Sequence, residues 1–123
     1  MTGFSPAVRR LIRTRAGDGD PFDACCEACA FWLGESGGQI QHIVARGKGG
    51  SRYRNGAGNG ALLCGTVYEG CHGECEKRRP KMRERGFWRY SSDVVIAVDH
   101  SRYGLVYLLA DGSVSREAPE VAA

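Results

Sequence analysis

The chain has 123 residues, 42% of them hydrophobic, and carries 17 Lys and Arg against 14 Asp and Glu for a net charge of +3. That length fits one domain, and no apolar run approaches the ~20 residues a membrane-crossing helix requires, so membrane insertion is not expected. Arg9, Arg10, Arg13 and Arg15 interrupt the N-terminal stretch, which therefore offers no signal-peptide core, and a cytoplasmic location is expected.

Ser5 and Pro6 form a helix start, a capping hydroxyl followed by proline at the first helical position. Val8, Leu11 and Ile12 recur behind them at helical spacing, which predicts a short basic helix over residues 6–15. Gly17–Pro21 ends it in a loop. Residues 39–44 alternate polar and apolar side chains as a half-buried strand does, with His42 on the face of Ile40 and Val44. Residues 46–60 hold six glycines and four basic residues and read as a loop whose backbone can approach a ligand closely. Ala61–Leu63 is a short strand. A helix starting near Gly70 carries Cys71, His72, Cys75, Glu76 and Arg79, and Pro80 ends it or opens a second one reaching Arg85, with Gly86 as its stop. Val94–Val98, Leu105–Leu109 and the Asp111-Gly112 turn predict a C-terminal antiparallel β-hairpin. The expected architecture is a small α+β fold in a single domain. It divides into an N-terminal helical arm (1–24), a metal-stapled core (25–90) and the hairpin (91–123). His100, beside Asp99 in a turn-like stretch, is expected at the surface.

Leu, Ile, Val and Phe make up about one fifth of the chain, near the margin at which apolar burial alone can order it. The cysteines suggest what else holds it. Cys25, Cys26 and Cys29 form one cluster and Cys64, Cys71 and Cys75 another, and without an export signal such clusters read as metal ligands before disulfides. Cys26-Glu27-Ala28-Cys29 places two thiolates for one tetrahedral ion, and Cys64 and Cys71 supply a second pair across a flexible loop. Cys25 can replace Cys26 in this scheme, and Cys75 can replace Cys71; the Cys-x-x-Cys spacing favours Cys26, Cys29, Cys64 and Cys71 as ligands of a structural Zn²⁺. Charge is also localised. Residues 44–90 carry eleven basic and four acidic side chains, a footprint that suits DNA or RNA.

Gln41-His42, the Arg46–Ser51 loop, Asn59 through Cys64, and Gly70-Cys71-His72-Gly73 with Glu76 stand in an order that resembles the HNH endonucleases. More closely they are similar to the small zinc-stapled HNH proteins of tailed actinobacterial phages. The resemblance spans about residues 22–90. It implies a ββα-metal (His-Me finger) core, with His42 as the general base, His72 as a ligand of a catalytic divalent metal, and Glu76 as a further ligand. Asn59 would fix the hairpin that presents His42. Gln41 occupies a position where the family commonly has Asp or His, and would offer a neutral amide oxygen to the metal. The metal would be Mg²⁺ or Mn²⁺, with Ni²⁺ or Zn²⁺ as alternatives. Arg46, Lys48, Arg52, Arg54, Lys77, Arg78 and Arg79 would contact DNA phosphates.

The implied activity is metal-dependent hydrolysis of DNA, by nicking or double-strand cleavage, with low sequence specificity. In a phage setting the implied partner is a terminase, the process is DNA packaging, and the location is the cytoplasm of the infected bacterium. A zinc-ribbon DNA-binding module without catalysis is the alternative, with Gln41 as its best support. A Cys-x-x-Cys oxidoreductase fits less well, because the surrounding βαβ pattern is missing.

Overall fold

The computed structural model describes residues 3–44, 56–90 and 97–119. Helix α1 (Pro6–Ala16) begins where Ser5 Oγ accepts the Val8 N–H at 3.2 Å, as the serine-proline start predicts. Its buried stripe of Ile12, Arg15 and Ala16 faces the molecule. Strands β1 (Gln39–His42) and β2 (Gly60–Leu63) pair antiparallel with His42 opposite Gly60 and Gln39 opposite Leu63. Helices α2 (Gly70–Glu76) and α3 (Pro80–Glu84) follow, then a three-stranded antiparallel sheet of β3 (Val98–His100), β4 (Gly104–Leu108) and β5 (Val114–Ser115). The fold is thus a small mixture of helices and two sheets.

Strand β2 is buried at all four positions, and its period of two divides the interior. Leu62 packs with Phe4, Ile12, Ala16, Ala24 and Ala57 beneath α1. Ala61 and Leu63 point the other way, into a cluster with Cys26, Ile43, Cys75, Met82, Phe87 and Val98. Gly60 opens β2 without a side chain because Phe4 and Ile12 occupy that space: a Cβ there would lie 2.6 Å from Ile12 Cδ1 and 2.9 Å from Phe4 Cζ.

Three expectations need correction. The helix from Gly70 ends at Glu76 and does not carry Arg79, which instead precedes Pro80 as the cap residue of α3. The C-terminal element has three strands rather than two. Ser101–Tyr103 makes the first turn and Asp111-Gly112 the second, where Asp111 Oδ1 accepts the Ser113 N–H and hydroxyl at 2.9 and 2.6 Å. Residues 94–96 of the expected first strand lie outside the described residues. His100 is buried, 3% exposed, because it partners a buried carboxylate from the first cysteine loop.

Candidate metal centre and adjoining histidine site

The sulfurs of Cys26, Cys29, Cys64 and Cys71 lie within 4.8 Å of one another, a cluster that can hold a metal ion. Both open alternatives close on geometry. Cys25 turns to the Asp23 carbonyl at 3.5 Å, and Cys75 is buried against the Phe87 carbonyl at 3.7 Å. The first pair sits on a tight turn. Ala30 N–H bonds the Cys26 carbonyl at 2.8 Å, Cys26 N–H bonds the Phe31 carbonyl at 2.8 Å, and Ala30 takes a left-handed φ of 71°. The second pair spans a loop closed by two glycines. Gly65 and Gly70 have φ of 88° and 71°, and a Cβ on Gly65 would meet the Glu69 carbonyl oxygen at 2.1 Å. Helix α2 then starts at the cluster, with Cys71 N–H 3.5 Å from Cys64 Sγ and His72 N–H bonded to the Cys64 carbonyl at 3.0 Å.

The four thiols do not ionise independently. The hydrogen bond from Cys71 does most to hold Cys26 down, to about 5, while Cys71 is pushed up by that same bond, by burial and by its neighbours' charges. Sulfurs this close resist carrying charge together, and a bound cation removes the conflict.

Beneath the cluster lies a network that the sequence did not disclose. Glu27, between Cys26 and Cys29 in the chain, is fully buried and accepts two hydrogen bonds from Arg15, at 2.9 and 2.8 Å. It also accepts the Leu62 N–H at 3.0 Å, and its Oε2 stands 2.7 Å from His100 Nε2. The other His100 nitrogen lies 3.0 Å from Arg102 N and accepts that N–H, so Nε2 is left to donate to Glu27. Burial would push the Glu27 carboxyl up. The Arg15 guanidinium and His100 outweigh it and hold the carboxyl at about 2. A lone glutamate inside a Cys-x-x-Cys knuckle carries no periodic signal, and the pairing joins residues 73 positions apart.

His42 ends β1, Asn59 immediately precedes β2 and His72 lies on α2, a helix that packs against both strands. His42 is half-buried at the end of β1, its ring stacked on Phe4 with centroids 4.1 Å apart and planes at 14°. Just beyond it, Asn59 Nδ2 donates to the Val44 carbonyl and Asn59 Oδ1 accepts the Val44 N–H, both at 2.9 Å. One amide side chain thereby makes both backbone bonds of Val44 after β1 has ended. Gln41 is buried, and its Nε2 donates to the His42 carbonyl at 3.0 Å.

His72 is 5% exposed, and its Nε2 stands 3.6 Å from the half-exposed Glu76 one turn along α2. Burial lowers the His72 pKa against the pull of Glu76. Its Nδ1 is buried and finds no hydrogen-bond partner among the described residues. Lys77, Arg78 and Arg79 are all exposed at the α2–α3 junction, where Arg79 Nε stands 3.4 Å from Glu74. Arg46, Lys48, Arg52 and Arg54 lie outside the described residues.

No protein-family model, no curated protein and no solved structure matches this chain. The meaning of the site therefore rests on its own residues. Among the described residues, no helix is long and apolar enough to cross a membrane.

Proposed function

We propose that this protein is a metal-dependent endonuclease of the HNH kind, hydrolysing DNA phosphodiester bonds with little sequence preference, on a ββα-metal core that a structural Zn²⁺ staples. The observation that carries the reading is the Asn59 amide bonded to both backbone groups of Val44. Those two bonds agree with the hairpin-fixing role that the HNH resemblance would give Asn59, and so support the reading. Zinc suits the cysteine site because an ion bound to four sulfurs at about 2.3 Å sets their tetrahedral edge at about 3.8 Å, and Cys29 and Cys64 stand 3.7 Å apart.

In this reading the His42 imidazole takes a proton from water as the water oxygen attacks phosphorus. A P–O bond forms while the bond to the 3′ oxygen breaks and that oxygen takes a proton from solvent water, leaving 5′-phosphate and 3′-hydroxyl ends. An imidazole suits that task because it titrates near neutral pH. Phe4 and the Asn59 bonds hold the ring and its strand end in one orientation. His72 Nε2 and the Glu76 carboxylate 3.6 Å from it offer one nitrogen and one oxygen on the same side of α2, a pair that suits a divalent metal. A cation held by His72, with Glu76 and Gln41 as further ligands, would supply Lewis-acid stabilisation of the charge on phosphate and leaving oxygen. Through the resemblance, the proposal extends to a phage packaging role beside a terminase.

Supercoiled-plasmid nicking tests this, with Mg²⁺ or Mn²⁺ and with EDTA, comparing wild type with His42→Ala after the variant is shown to keep its cysteine-bound metal. Loss of the base is expected to slow nicking by about 100-fold or more. A second reading, a DNA-binding zinc module without catalysis, is favoured by Gln41, which is turned into the hairpin instead of offering a carboxylate. DNA binding without cleavage under every divalent cation decides for that module.

A further inference from the structure

The four cysteines of the candidate metal centre are not equally placed. Cys26 is fully buried in the larger apolar cluster. Its backbone is fixed as well: its N–H bonds the Phe31 carbonyl at 2.8 Å, and its own carbonyl accepts the Ala30 N–H at 2.8 Å and the Ser101 hydroxyl at 3.0 Å. Cys29 is the exposed member, while Cys64 and Cys71 are partly buried. It stands at the tip of the first turn, followed by the left-handed Ala30 and the exposed Phe31 and Trp32. The sulfurs of Cys29 and Cys64 are 3.7 Å apart although 35 positions separate them in the chain. A disulfide holds two sulfurs at about 2.05 Å, so about 1.7 Å of approach separates this pair from a bond.

We infer that Cys29 and Cys64 are a modification site for hydrogen peroxide, closing to a disulfide that expels the metal ion and takes over its task of joining the two cysteine loops. The inference rests on the reading of the cysteine cluster as a metal centre. Metal-bound cysteines are thiolates, the form that attacks an oxidant, and exposure decides which of them meets it first. The Cys29 thiolate attacks one peroxide oxygen; an S–O bond forms, the O–O bond breaks, and hydroxide leaves with the electron pair. The Cys64 thiolate then attacks the sulfur of the resulting sulfenic acid. An S–S bond forms, the S–O bond breaks, and a second hydroxide leaves. Two thiolates have together given two electrons to one peroxide. The ion keeps only Cys26 and Cys71 of its four sulfurs and is released.

Spacing alone favours a different disulfide, Cys26 with Cys29, which would close within the first loop. Burial and backbone bonding of Cys26 oppose it. The Cys29–Cys64 link instead ties the first cysteine loop to the end of β2, because Cys64 directly follows Leu63. The connection made by the ion thus survives its loss, and a dithiol with fresh metal reverses the exchange.

Full-length protein, with its metal content measured by elemental analysis, is treated with substoichiometric hydrogen peroxide while a chromophoric chelator reports released ion. Free thiols are then blocked with N-ethylmaleimide and the chain is cut after glutamate. Glu27, Glu69 and Glu74 separate Cys26 from Cys29, Cys64 from Cys71 and Cys71 from Cys75, so the Cys29–Cys64 link gives a peptide pair of its own mass. That pair is expected to form first, with one ion released per link, and to be undone by dithiothreitol. Cys25→Ser removes the one partly exposed thiol outside the cluster and is expected to leave both yields unchanged. The map is made on wild type, so a failure of Cys29→Ser or Cys64→Ser to fold does not affect it. A Cys26–Cys29 link formed first, ion release without a disulfide, or thiols and ion both untouched by peroxide overturns the inference. The readings fail separately: untreated protein without a bound ion sinks the metal centre and the expulsion with it, whereas a bound ion accompanied by a different link, or by none, sinks the expulsion alone. Plasmid cutting decides neither.

Discussion

Glu27 gathers Arg15, the Leu62 N–H and His100 onto one buried carboxylate. Replacing it with glutamine removes the charge but leaves Arg15 buried, 2% exposed at its side chain, so Glu27→Gln is expected to destabilise by about 3–5 kcal/mol in urea unfolding. The pH dependence has a definite sign. The carboxyl's folded pKa of about 2 lies below its ordinary 4.5, so its contribution is complete above about pH 4.5 and is lost as pH falls towards 2. The expected size is on the order of 3 kcal/mol, read as a stability difference between wild type and Glu27→Gln that shrinks on acidification over that window. A difference that stays constant from neutral pH to pH 3 excludes this account. Acid release of a cysteine-bound metal affects both proteins, and the comparison cancels it.

Elements matter here through what they bring to His42. Phe4 precedes α1 and reaches β1 because Gly60, opposite His42, has no side chain in the way. The stacked ring holds the imidazole against the strand. Phe4→Leu keeps most of the buried apolar volume and costs less than about 1.5 kcal/mol, but it removes the flat face opposed to His42. On the proposed nuclease reading, nicking is expected to fall by about 10-fold while Tm changes little, a split that a purely packing role does not produce. Much of this level was legible in sequence. The capped start of α1, the strand carrying Gln41 and His42, and the Pro80 break each rest on local chemistry: a hydroxyl cap, a two-residue period, a ring without an N–H. The ending of α2 at Glu76 and the burial of His100 were not. His100 depends on Glu27, 73 positions away, and α2 ends because Arg78 takes the left-handed position that glycine ordinarily signals, with its N–H on the Cys75 carbonyl at 3.0 Å and the Arg79 N–H on the Glu74 carbonyl at 3.1 Å.

In the molecule as a whole, the two apolar clusters meet along β2, and the cysteine site lies against the larger of them, with Cys26 inside it and Cys64 and Cys71 packed against it. An ion held there would neutralise four thiolates beside Leu63, Met82 and Phe87, and its removal would leave them in mutual repulsion. A chelator strong enough to strip the metal is expected to lower Tm markedly and to abolish near-UV dichroism, and elemental analysis of the untreated protein is expected to return one tightly held ion per chain. Chelation that leaves Tm and the spectrum unchanged excludes a structural ion.

The amino-acid order alone settled the cysteine spacing, the helix starts and the localisation of positive charge, because each depends on residues a few positions apart. It favoured Cys26 over Cys25 and Cys71 over Cys75 by spacing without excluding the alternatives, because both members of each pair lie within reach along the chain. Folding chose between them by turning Cys25 to Asp23 and burying Cys75 against Phe87. The same holds for the Glu27 network and the Phe4 stack on His42. They join residues distant in sequence, whose pairing leaves no periodic trace and exists only once the sheets and helices have packed.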